Sequence, residues 1–97
     1  MAKELIRQNS KKEYIMALYK KKPVLIEAIQ WKNRNIMEIC NFMGKFTPQI
    51  FKGNLIIRTL EGDMIINDHD FIIRGIKGEF YPCKPLIFRD TYILVSE

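Results

Sequence analysis

The sequence predicts a small α+β fold: a mostly antiparallel β roll or open barrel with one main α-helix and a candidate N-terminal helix. Three observations lead there. One stretch, from Asn35 to Gly44, carries apolar residues at helical spacing between a capping residue and a glycine. Short runs rich in Ile, Leu, Val and Phe surround it, joined by turns marked with glycine and proline. Finally, 97 residues with 47% hydrophobic and 28% charged side chains suit a single domain with one modest core.

Residues 1–22 are polar and rich in lysine. A helix over part of 2–9 or 12–19 is compatible with their Ala, Lys, Glu and Leu content. The body, 23–97, opens with PVLIEAIQW, read as a strand over Pro23–Trp31 from its β-branched content. Both of its faces are largely apolar, so a central strand covered on two sides is expected. The helix follows. Asn35 and Glu38 have the spacing of a capping box, Ile36, Ile39, Cys40 and Met43 share one face, and Gly44 ends the element. Phe46–Lys52, interrupted by Pro48, reads as an irregular connection. Asn54–Leu60 and Asp63–Asn67 read as a hairpin turned at Glu61-Gly62. Asp68-His69-Asp70 is a polar turn, Phe71–Ile76 a strand, and Lys77-Gly78 a turn into Glu79–Tyr81. Pro85 fits the first position of a helical turn through Phe88, and Thr91–Val95 reads as a last strand.

The net charge of +5 belongs to the arm. Residues 1–22 hold Lys3, Arg7, Lys11, Lys12, Lys20, Lys21 and Lys22 against Glu4 and Glu13, while residues 23–97 balance nine basic with nine acidic side chains. That distribution disfavours a uniformly basic nucleic-acid-binding domain and leaves a basic arm as the only such element. The apolar runs are far short of the roughly 20 residues that a membrane-spanning helix needs. Glu4, Asn9 and Glu13 stand where a signal peptide needs an apolar centre, so no export is expected and Cys40 and Cys83 should stay reduced.

The inventory argues against catalysis. Ser10 and Ser96 are the only serines, His69 is the only histidine, and no glycine-rich phosphate loop or paired carboxylate motif occurs. Asp68-His69-Asp70 is a poor chelating set because adjacent side chains diverge, so neither metal nor cofactor is expected. The strongest candidate surface is GEFYPCKP. Its two prolines hold Cys83 and Lys84 in one presentation, either as a structural exit from a strand or as a rigid knuckle offering Tyr81 and Lys84 to a partner. A reactive Cys83 would need Lys84 to lower its thiol pKa, a reading disfavoured because no histidine neighbours it. Trp31, next to Lys32 and Arg34, either anchors a core edge or stacks on a partner, and Arg74 is a further candidate contact. Lys11, Lys12, Lys20, Lys21 and Lys22 either solvate a linker or bind phosphates without regard to sequence.

From Met16 onward, KKPVLIEAIQW, LIIRTLEGDM and FIIRGIKGEFYPCKPLIFRDTY resemble a family of small uncharacterised phage and prophage proteins. In that family a glycine and an aspartate precede the strand equivalent to Phe71–Ile76, whereas this chain has His69 and Asp70. The resemblance implies a phage or prophage origin and action in a bacterial host cytoplasm, and it brings no catalytic residues. The function it implies is that of a non-enzymatic accessory protein binding a host macromolecule, for example an inhibitor of a host defence system such as a CRISPR nuclease. The alternative is a nucleic-acid binder working through the lysine arm. Either works as a monomer or as a homodimer paired through an edge strand.

Overall fold

A computed structural model describes residues 16–97. The helix considered over 2–9 and the candidate ligands Lys11 and Lys12 lie outside the described residues. Of the 12–19 alternative only 16–19 are described, and these form no helix.

Among the described residues there are six strands and two helices, in the order β1 (Glu27–Gln30), α1 (Ile36–Met43), β2 (Gln49–Phe51), β3 (Asn54–Thr59), β4 (Gly62–Ile66), β5 (Phe71–Arg74), β6 (Phe80–Cys83) and α2 (Pro85–Thr91). All pairings are antiparallel and form two three-stranded sheets, β1-β5-β6 and β2-β3-β4, neither closed into a barrel. The molecule is a small α+β fold.

The main core lies between the sheets and beneath α1. Ile39 and Met43 reach it from the helix, Leu55, Ile57 and Ile66 from one sheet, and Ile72 and Phe80 from the other, with Trp31 at its edge. The helical face read from the sequence is the buried face, although Cys40 and Ile36 are only half-buried. Its start differs from the expected capping box. The Asn35 side chain donates to the Gln30 carbonyl and to Glu38 while accepting from the Lys32 amide, so it ties β1 to the helix instead of capping an amide.

Three strand expectations are corrected. β1 spans four residues at an edge, with Val24 and Leu25 exposed ahead of it, because the paired strand β5 has its other side on β6. The connection over Phe46–Lys52 contains β2, joined to β3 by a two-residue turn with Lys52 at φ 52° and Gly53 at φ 83°, the left-handed pair that a tight hairpin requires. The expected last strand is absent. Helix α2 continues to Thr91, and Ile93, Leu94 and Val95 follow it without regular structure, each at least 72% exposed.

In the turn before β5, His69 adopts φ 73°. A side chain pays a steric penalty there that glycine avoids. His69→Gly is therefore expected to raise stability by about 0.5–1 kcal/mol, offset in part by the greater entropy of the unfolded chain, as a higher midpoint of urea unfolding would record.

Candidate partner-binding surface

The GEFYPCKP stretch is built as a strand and a helix start, not as a free knuckle. Pro82 lies within β6 opposite Ile72, which an edge strand tolerates because the missing amide interrupts no second ladder. Lys84 flanks α2 with extended φ and ψ, and Pro85 is its first residue. The preceding loop is closed by Glu79, whose carboxylate accepts from the Lys77 amide and folds over Gly75, where any Cβ would collide with it.

Strand alternation divides the candidate residues between two faces. Arg74 and Phe80 are opposite each other on the core side. The Arg74 guanidinium pairs with Glu27, donates to the Phe42 carbonyl, and lies 4.6 Å from the Phe42 ring centroid and 5.5 Å from that of Phe80. It joins β1, β5 and α1. Trp31 is only 7% exposed, its amide donating to the Asp70 carbonyl and its carbonyl accepting from the His69 amide. Neither side chain shares a surface with Tyr81 and Lys84.

The opposite face of this sheet carries Ala28, Ile73 and Tyr81 across its three strands, with Phe71 and Cys83 in the next row. Helix α2 packs on this face at Phe71. Phe88 stacks on Phe71 at 3.8 Å and 7°, and Tyr92 lies 4.9 Å beyond Phe88. Lys21 reaches back over the Tyr92 ring at 5.2 Å and approaches its hydroxyl at 3.4 Å, so this one arm lysine is placed beside the face. Lys20 and Lys22 are exposed.

The charge pattern also corrects the expectation for Cys83. Lys84 Nζ is 3.2 Å from Asp70 Oδ2, and that carboxylate, on a residue 2% exposed, also accepts from the Asn67 amide. Burial, followed by the nearby Asp70 charge, raises the Cys83 thiol pKa despite an opposing pull from Lys21. A thiol held up in this way is a poor nucleophile at neutral pH. Asp70 turns inward while His69 Nδ1 stands 3.3 Å from Asp68, so the three residues of that turn do not converge. Among the described residues no three His, Cys, Asp or Glu side chains are grouped to hold a metal ion, and no helix is long and apolar enough to cross a membrane.

Tyr81 is pushed up to about 12, first by burial and then by its hydrogen bond with Tyr92. Folding thus favours the neutral phenol. Its contribution is complete below the ordinary value near 10 and is lost as pH rises from there through about 12. Stability followed by urea unfolding is expected to fall across that window, and the Tyr81→Phe variant should show a shallower fall.

What remains outward on α2 is Leu86, Ile87, Arg89, Asp90 and Thr91; the two apolar side chains are 69% and 58% exposed. With Lys84 at the helix start they form an apolar centre rimmed by charge. The sequence reading missed this helix face, although Phe88 and Tyr92 at a spacing of four signal a helix running past Phe88. Comparison with family models, with curated proteins and with solved structures finds no match to this chain.

Proposed function

We propose that the chain is a non-enzymatic binding protein that holds a protein partner through the outer face of α2 and the adjoining Lys84. The observation that carries this reading is the α2 geometry. The Phe71–Phe88 stack fixes the helix on the sheet, so Leu86 and Ile87 are presented on a rigid support at little further entropic cost. Exposed leucine and isoleucine ringed by Lys84, Arg89 and Asp90 match the apolar centre and polar rim of a protein interface. On the family resemblance, the partner is a host protein and the chain a phage or prophage accessory protein acting in the host cytoplasm. Inhibition of a defence system such as a CRISPR nuclease rests on that resemblance alone.

The test is capture of a stoichiometric partner from bacterial host lysate treated with nuclease. Leu86→Asp with Ile87→Asp should abolish capture while the circular dichroism and melting temperature stay unchanged. Equal capture by the variant removes α2 from the account. A second reading, nucleic-acid binding by the arm, is favoured by Tyr19, 94% exposed beside Lys20, Lys21 and Lys22, an aromatic and cations suited to a single strand. It requires that binding be lost with nuclease and weaken steeply with salt.

A further inference from the structure

The free edge of β1 and the C-terminal tail have the same unmet requirement. Ahead of β1, Val24 and Leu25 are 49% and 77% exposed in a segment that, among the described residues, no strand pairs. After α2, Ile93, Leu94 and Val95 are 89%, 72% and 74% exposed. Both segments line an open groove of about 1040 Å³ whose remaining lining includes Phe71, Arg74 and Phe88. The tail's departure is fixed by Tyr92, whose amide donates to the Phe88 carbonyl and whose ring packs on Phe88 beneath Lys21.

We infer that a second copy of this chain fills the groove: two protomers exchange tails, the segment Ile93–Val95 of each adding as an antiparallel strand to Val24–Ile26 of its partner. One register satisfies both side-chain pattern and charge. Placing Leu94 opposite Leu25 sets Ile93 against Ile26 and Val95 against Val24, so four β-branched residues share one face and two leucines the other. The same register carries Glu97 to Lys22, setting the tail's carboxylate against the Lys20-Lys21-Lys22 run. The exchange is reciprocal about a two-fold axis, so the edge ahead of β1 is covered in both protomers and the assembly closes at two.

The area is adequate. Five exposed apolar side chains per protomer, at roughly 80 Å² each, hide on the order of 800 Å² in the pair before any backbone or lysine stem is counted. Side chains alone thus supply about two thirds of the roughly 1,200 Å² at which specific interfaces begin.

The purified full chain tests this without any other partner, so the result is independent of the role of α2. Light scattering during gel filtration should give twice the 11.5 kDa chain mass. Leu25→Asp and Leu94→Asp should each weaken association about a hundredfold or more, since each change occurs twice in the pair and each buried leucine is worth about tenfold. A cysteine pair then reads the register. Leu25→Cys protein mixed with Leu94→Cys protein should yield a disulfide-linked dimer that neither gives alone. A mass of 11.5 kDa at every concentration overturns the proposal. So does an internal bridge in a monomeric chain carrying both cysteines, which would show the tail closing on its own edge.

Discussion

Replacing Phe80 with alanine is expected to lower the unfolding free energy by about 3–5 kcal/mol, a large share of the roughly 5–15 kcal/mol a small domain possesses. Phe80 is 5% exposed and is where the layers meet. Its ring packs edge-on against Phe42 at 5.7 Å and tilted against Phe46 at 6.0 Å, and the Arg74 guanidinium lies 5.5 Å from its centroid. Alanine would leave a cavity bounded by α1 and both sheets, which these elements cannot all collapse to fill. It would also remove one of the two rings over which the Arg74 charge rests. Chemical denaturation followed by circular dichroism measures the loss. A change below about 1 kcal/mol would mean that the ring does not hold the layers together.

The second large effect is expected at Asp70. Asp70→Ala should cost about 2–3 kcal/mol, because the change removes charge-assisted acceptance from the Lys84 ammonium and from the Asn67 amide. Lys84→Met should cost less than the aspartate substitution. It strands a carboxylate whose side chain is 4% exposed, but that carboxylate keeps the Asn67 amide. A double-mutant cycle isolates the pair, and an interaction energy indistinguishable from zero would show that the Asn67 contact alone carries the Asp70 effect. The distinction bears on function, since Lys84 adjoins the outer face of α2. A partner that engages Lys84 competes with Asp70 for the same ammonium.

The parts of the fold legible in the sequence are those decided locally. The period from Ile36 to Met43, the positive φ at Gly44 and the β3–β4 hairpin each follow from a few neighbouring residues. The misread parts depend on what lies opposite. β1 has the two apolar faces of a central strand, yet among the described residues nothing pairs with its outer edge. Thr91–Val95 has strand composition, yet Thr91 ends helix α2 and 92–95 form no strand, so composition alone names an element absent from the described residues. β2 was hidden by Pro48 and by a left-handed Lys52, which is not a usual turn residue. At the candidate site, Tyr81 and Lys84 were legible as neighbours. Asp70 was read only as part of a polar turn, because no sequence pattern reveals that its carboxylate turns inward toward Lys84.

The two sheets differ in how far apart their strands lie along the chain. Strands β2, β3 and β4 are consecutive and can zip together from two tight turns, whereas β1 must find β5 across the whole of α1 and that meander. Closing the longer loop costs more chain entropy before any contact rewards it. The meander with α1 is thus the natural nucleus, and the β1–β5 seam closes late. Kinetically, Ile57→Val in β3 should slow folding, while Ile29→Val in β1 should mainly hasten unfolding, a contrast that stopped-flow chevrons resolve. The seam that forms last is the first to open, and it lies beside the groove.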